Sequence, residues 1–478
     1  MNVLMVGTQL SCGGAGRIAE LLAVGLRRAG HTVCAFVRDN PTADPACRQV
    51  RHWRLGFLQQ WLSRAGLPDL GDLASFLWRC RAEYAAADVV HLHNLHGDYL
   101  SLLALPLWGR DKPLVWTLHD AWPLTGNCAY PRDCPRWRAG CGRCPQLGLY
   151  PQGDVDHSRF YRWLKPRLAA AARPALLPSS AWLARQVQCV PELARLPMRV
   201  VPNPVDTSIF APARARVALR RGFGLAPTAP TVAVVGCLYS DPRKNAPDAV
   251  RALRRVAEHL PGLQMLAVAP TARRLLAAAG VPGRALPFLQ DRAALAQAYA
   301  CADVCLFPSR ADNYPMTVLE SMSCGTPVVA YAAGGVPEQI EHGQTGWLAA
   351  DGDVDGLVAG LRATAGSPAT ARRWGVAART FIERTAAMDV VVAQFEREYR
   401  RAIAAWRRRT GRTTARFGRS RLARVMARLL EWDAHVQQSR TVQESKPVPP
   451  LPRTSDRPGA PAPALLRVRR PDLVEVPR

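Results

Sequence analysis

Short continuous apolar runs alternate along this chain with longer stretches in which apolar residues return every third or fourth position. The first pattern is that of strands buried on both faces; the second is that of helices with one buried stripe. Strands are predicted at 2–7, 32–37, 88–92, 112–118, 175–179 and 199–202, then at 231–236, 263–268, 285–289, 304–307, 327–331 and 345–348. Helices are predicted at 18–28, 159–173, 248–260, 272–279, 294–301, 354–365 and from 370 to 406. Val318, Leu319 and Met322 make one more helical stripe, which Gly325 and Pro327 stop. Asp312 and Asn313 suit a turn and an N-cap ahead of it. Residues 38–87 read as an aromatic-rich helical region around Trp53, Phe57, Trp61, Phe76 and Trp78. Strand and helix in regular alternation predict an α/β protein with parallel sheets, and 478 residues suggest more than one domain.

Composition narrows the class. Hydrophobic content of 48% is that of a globular protein, and no apolar run is long enough to predict a membrane span. The opening MNVLMVGTQL runs straight into a strand without a basic region, so no signal peptide is expected. Thirteen cysteines without an export signal point to reduced thiols or metal. The formal charge of +26 favours an anionic partner, but only Lys112, Lys165, Lys244 and Lys446 are lysines. Such an arginine bias is what a GC-rich bacterial genome produces, which lowers the weight of any single arginine. Residues 400–428 hold eleven arginines and no acid. With Leu422, Val425, Met426 and Leu429 they predict a basic amphipathic helix over 407–440 that suits an anionic membrane surface. Residues 441–478 are Pro-rich and polar and are expected to be disordered.

The candidate chemistry gathers at strand ends. Gly13, Gly14 and Gly16 allow a turn that can approach a ligand closely, but they lack the GxGxxG spacing, so NAD is not inferred. His91 and His93 share a strand face and His96 falls past its end, which suits a cleft better than a metal. His119 and Asp120 end the strand at 112–118 and face the crevice of a parallel sheet. Cys128, Cys134, Cys141 and Cys144 are spaced C-x5-C-x6-C-x2-C; free packed thiols, a redox pair and a structural zinc site all stay open. Arg243 and Lys244 lie between a strand and a helix, where two cations suit a diphosphate. Asp312 sits in a loop and Glu320 two turns along the next helix, so one carboxylate suits sugar hydroxyls and the other ribose hydroxyls.

The stretch DNYPMTVLESMSCGTPVV resembles the donor site of family-4, group 1, retaining glycosyltransferases, in the exopolysaccharide and colanic-acid branch. The family's pair of glutamates with seven residues between them reads Asp312 and Glu320 here, the first one methylene short, and Cys237 and Leu238 stand where the family has an arginine. The resemblance implies the GT-B fold: two Rossmann-like, doubly wound domains across a cleft. It places the acceptor-side domain at 1–204 with a Cys-rich insertion at 128–144, the donor-nucleotide domain at 205–385, and a helix at 386–406 crossing back. His119, Asp312, Lys244 and Arg243 would be catalytic. Gly14, Gly16, Asn313, Tyr314, Pro315, Met316, Thr317, Val318 and Glu320 would hold the donor, a nucleotide-diphosphate sugar. The acceptor would be a glycan or a polyprenyl-diphosphate-linked sugar. No cofactor is implied for catalysis, and the place of work is the cytoplasm or the inner face of the plasma membrane. Two rivals remain. Another GT-B enzyme, such as a nucleotide-sugar epimerase or a phosphorylase, is one, although a phosphorylase needs a cofactor lysine. A nonenzymatic binder of anionic ligands is the other; no motif for nucleic acid supports it.

Overall fold

The computed structural model describes residues 1–11, 13–39, 44–50, 56–149, 151, 154–237 and 239–411. The amphipathic and Pro-rich stretches predicted beyond residue 411 lie outside these residues, as does Leu238. Two six-stranded sheets form, each wholly parallel. The first contains β1 (Asn2–Gln9), β2 (Thr32–Asp39), β3 (Cys47–Gln49), β4 (Val89–Leu92), β5 (Leu114–Leu118) and β6 (Ala175–Pro178) in the order β3-β2-β1-β4-β5-β6. The second contains β7 (Thr231–Val235), β8 (Gln264–Val268), β9 (Gly283–Leu286), β10 (Val304–Phe307), β11 (Val328–Tyr331) and β12 (Gly346–Ala349) in the order β12-β11-β10-β7-β8-β9.

The apolar runs explain this directly. Along β1, Leu4 and Val6 enter one core while Val3 and Met5 enter another on the opposite face. Along β7, Ala233 and Val235 point to one core and Val232 and Val234 to the other. Helices therefore cover both faces of each sheet, as a parallel sheet requires. Each strand order reverses once, between β1 and β4 and between β7 and β10. A crevice opens there beyond the C-terminal strand ends, the usual ligand position in such sheets.

After the second sheet the chain returns to the first. The helix Pro368–Thr385 stops at Ala386, where Val205 N–H donates to Ala386 O (2.9 Å) and Met388 N–H donates to Val205 O (3.1 Å). The helix Met388–Thr410 then packs Val391, Val392, Phe395 and Tyr399 into the core of the first sheet. Gly25 is needed under it, because a Cβ there would lie 2.5 Å from Val392 Cγ2. Tyr399 OH meets His91 Nδ1 at 2.8 Å, and His91 Nε2 meets Thr117 Oγ1 at 2.7 Å, so this buried histidine is satisfied within the fold.

Three expectations are corrected. Residues 199–202 do not form a strand. They run beside β6, with Arg199 N–H donating to Leu176 O (3.1 Å) and Val201 N–H to Pro178 O (3.1 Å), but the pairing is a single bridge at Met198. Pro197, Pro202 and Pro204 have no N–H to extend a ladder. The helix expected from 370 to 406 is two helices broken at residues 386–387. The helix after β10 begins at Met316 rather than at Asp312 or Asn313, whose side chains are engaged elsewhere.

Candidate functional site

The β7/β10 switch point brings four of the sequence candidates together. Gly236 follows β7 with φ +68°, a turn that leaves room toward Thr317, whose Oγ1 would be 4.0 Å from an added Cβ. The 3-10 turn Pro242–Lys244 follows, with Asp241 capping it by accepting from Arg243 N–H. Lys244 Nζ reaches Asp312 Oδ2 at 2.9 Å. Ser309 Oγ donates to the same oxygen at 2.6 Å. Arg243 pairs with Asp241 at 2.6 Å, and its guanidinium lies over the Tyr130 ring of the first domain at 4.2 Å. The Asp312 loop is packed against a Gly-Gly turn. A Cβ on Gly334 would lie 1.9 Å from Asp312 O, and one on Gly335 would lie 1.9 Å from Asn313 O.

The helix Met316–Ser323 starts at this loop with no side-chain cap on its first turn. Its leading N–H groups are those of an uncapped N-terminus, the arrangement that attracts phosphate. Tyr314 O accepts from Asn203 Nδ2 (2.8 Å) and Pro315 O from Gln339 Nε2 (3.1 Å), so the backbone ahead of the helix is fixed. Met316 packs against cores of both domains. Glu320, one face further along, is buried. Burial pushes its carboxyl up to about 6, against the opposing pull of Arg17. Its two oxygens meet Arg17 Nη1 at 3.3 Å and Tyr299 OH at 3.2 Å.

Arg17 comes from the helix Gly13–Arg28, which carries the glycine turn of the first domain. Gly14 has open space where a Cβ would point, while Gly16 sits close to Gln9 O, at 3.0 Å from its would-be Cβ. The glycine turn and Glu320 are thus linked by one side chain that the sequence pattern did not single out.

His119 and Asn313 complete the cleft. Asn313 Nδ2 donates to His119 O (3.0 Å), and Ser180 Oγ donates to Asn313 Oδ1 (2.5 Å). Glu338 accepts from Ala181 N–H and Trp182 N–H, both at 2.6 Å, and so caps the first-domain helix Ala181–Gln188 from the second domain. His119 Nε2 is 3.0 Å from His93 Nδ1, and its buried Nδ1 has no partner. Burial depresses the His119 imidazole to about 4, so it is neutral near pH 7. Ser180, Glu338 and Arg17 had no sequence signal; each matters through a partner far away in the chain.

The four loop cysteines do not join this constellation. Cys128, Cys134, Cys141 and Cys144 line one small cavity of about 20 Å³ and form no disulfide. Among the described residues no group of three or more His, Cys, Asp or Glu is placed as metal ligands, these four included. Burial, the leading influence, raises the Cys141 thiol and pushes Cys128 up to about 11, so both are thiols near pH 7 in this arrangement.

Comparison with known proteins places the chain in a family. The chain matches the family Glycosyltransferase Family 4 over residues 12–209 and the family Glycosyl transferases group 1 over residues 229–365. It is 33% identical over 422 residues to the D-inositol 3-phosphate glycosyltransferase of Mycobacterium marinum, covering 84% of this chain and 82% of that protein. It is 27% identical over 361 residues to the protein named as colanic acid biosynthesis glycosyl transferase WcaC of Escherichia coli K12, covering 69% of this chain and 83% of that one. Among solved structures, sucrose-phosphate synthase of Thermosynechococcus elongatus superposes with a TM-score of 0.61 at 18% identity, covering 85% of this chain and all of that one. HepE of Anabaena in complex with UDP-glucose gives 0.59 at 16%, covering 84% and 99%. These two share the GT-B fold with this chain.

Proposed function

Because the chain belongs to the group 1, family-4 glycosyltransferases, we propose that it moves a sugar from a nucleotide-diphosphate sugar to a glycan or lipid-linked acceptor during synthesis of a cell-surface polysaccharide. The observation that carries this is the convergence of Lys244, Asp312, Glu320 and the uncapped start of the helix Met316–Ser323 at one switch point. In this reading Glu320 accepts from the ribose hydroxyls, and donor binding displaces Arg17 from it. Lys244, Arg243 and the helix start hold the diphosphate, and Asp312 holds sugar hydroxyls with His119 opposite.

We assign retention to the transfer. The bond from the anomeric carbon to the diphosphate oxygen breaks, and the bond to the acceptor oxygen forms on the same face. The acceptor proton passes to the leaving phosphate oxygen. No protein nucleophile is required, and the task left to the chain is to stabilise charge growing on the diphosphate. The position of Lys244 and of the helix N–H groups supports giving them that task, and the reaction is proposed to run without a metal ion. A peripheral position on an anionic membrane leaflet belongs to the same proposal. It rests on the eleven arginines of residues 400–428, while no described helix is long and apolar enough to cross a membrane.

The test is a panel of nucleotide sugars, UDP-glucose first, assayed for hydrolysis and for transfer with and without a chelator. Release of nucleotide diphosphate from one member, unchanged by chelator and abolished by Glu320→Ala, is the expected result. No release from any member sinks the reading.

A further inference from the structure

Residues 130–138 close one side of a cavity of about 300 Å³ whose other side is the second domain. The reacting end of this space is set by its neighbours. Arg243 and Ala311 line it, and they adjoin Lys244 and Asp312 in the chain. A ligand seated here would stand beside the donor site without overlapping the ribose end at Glu320.

The charges in the wall are unevenly satisfied. Arg243 is paired with Asp241 (2.6 Å) and Arg310 with Asp351 (2.9 Å). Arg132 and Arg138 also line the cavity, and neither has a carboxylate partner among the described residues. Asp133 is the loop's own acid there, so two unpaired guanidinium groups face one carboxylate. The loop that presents them is tied down. Gln146 Nε2 donates to Tyr130 O (3.1 Å), Arg162 Nε donates to Trp137 O (2.7 Å), and the Arg138 guanidinium lies 5.2 Å from the Trp137 ring centre. Both guanidinium groups are exposed at the rim of this concave space, where they add to its positive field, and their planar forks suit carboxylate or phosphate. Trp182 adds a flat apolar wall against which a sugar ring can pack.

We propose that this cavity is the acceptor subsite and that it selects a saccharide carrying negative charge, with Arg132 and Arg138 as the recognising residues. The inference rests on the donor-site reading above and adds the acceptor's chemical class. Carboxylate and phosphate share the required chemistry, so the experiment has an arm for each.

The probes are an oligosaccharide ending in glucuronic acid, the same oligosaccharide with that carboxylate reduced to the alcohol, and an oligosaccharide ending in a sugar phosphate. Binding to the full chain in the presence of UDP is followed by Trp fluorescence, Trp182 being in the wall. At least one charged probe should bind about tenfold more tightly than the neutral one, and Arg132→Gln with Arg138→Gln should remove that difference. UDP affinity should stay unchanged in the variant, which checks that it is folded and that the donor site is intact. A stronger uronate arm means an acidic glycan acceptor; a stronger phosphate arm means a phosphate-bearing one. Equal binding of charged and neutral probes, or charge selectivity that survives both substitutions, overturns the proposal. Failure of the wild type to bind any nucleotide diphosphate would instead sink the donor-site reading, whatever the probes do.

Discussion

Arg17 of the first domain and Glu320 of the second form an ion pair of 3.3 Å across the cleft, although they lie 303 residues apart in the chain. Glu320 is the carboxylate expected to hold the nucleotide ribose, and here its partner is a guanidinium. Both side chains are largely buried, 16% and 5% exposed, which makes the pair more than a surface contact. In the proposed donor complex the ribose hydroxyls would replace Arg17 as partners of Glu320 and leave a free cation beside the glycine turn.

The first prediction is a pH dependence. With its carboxyl raised to about 6 by burial, Glu320 is ionised at pH 7 and protonated at pH 5. If only the carboxylate accepts from ribose, nucleotide affinity should fall about tenfold between those values, following a single titration. Fold stability at this residue runs the other way. The raised pKa makes the protonated form's contribution fully present below 4.5 and lost as pH rises through about 6. Calorimetry across this range, with Glu320→Gln as control, separates the two. An affinity that follows the same pH curve in both proteins rules out the ribose role.

Arg17 gives the second. Its guanidinium pulls the Glu320 carboxyl down against burial. In Arg17→Ala the midpoint of the binding curve should move above pH 6, because the upward push of burial is less opposed. The same midpoint in variant and wild type would mean that the ion pair does not govern this carboxylate.

The third concerns Lys244. It is held 2.9 Å from Asp312 and stands one residue from the cation Arg243. Removing one preorganised donor to a developing charge lowers turnover by about a hundredfold or more. Lys244→Ala should therefore reduce kcat on that scale while leaving affinity for the free nucleoside, which has no diphosphate, nearly unchanged. Equal losses in both would show that Lys244 only shapes the loop.

Much of this was legible in the sequence, for a physical reason. Strands buried on both faces read as plain apolar runs, so β7, β10 and β11 were visible, and Lys244, Asp312 and Glu320 follow from their strand ends. His119 was visible in the same way at the end of β5. Pairings across the cleft were not. Arg17 is one arginine in a chain crowded with them, and nothing local distinguishes it until Glu320 is beside it. Asn313 looked like a helix cap because Asn commonly is one, but its amide is turned to the first domain instead. The strand expected at 199–202 fails for the opposite reason: Val200 and Val201 suit a strand, but Pro197, Pro202 and Pro204 lack the N–H groups to extend the ladder.

The last prediction tests Asn313 as the tie between domains. Its Nδ2 donates to His119 O at 3.0 Å and lies 3.4 Å from Leu118 O, while its Oδ1 accepts from Ser180 Oγ. The residue is buried, so each broken bond leaves a polar group without water. Asn313→Ala leaves the Ser180 O–H without its acceptor, though Ser180 Oγ still accepts from Leu183 N–H, and leaves the His119 carbonyl without its donor, at about 1–3 kcal/mol for an unsatisfied buried group. Asn313→Asp keeps the acceptor but turns a carboxylate oxygen toward two carbonyl oxygens. That is repulsive as well as unsatisfied, so the nearly isosteric change should be the worse of the two. The expected order of urea midpoints is wild type, then Ala, then Asp, and donor turnover should follow the same order because His119 is held through this contact. If Asp is as stable and as active as wild type, the amide is not oriented as described and the tie between domains must lie in Glu338 and the backbone it caps.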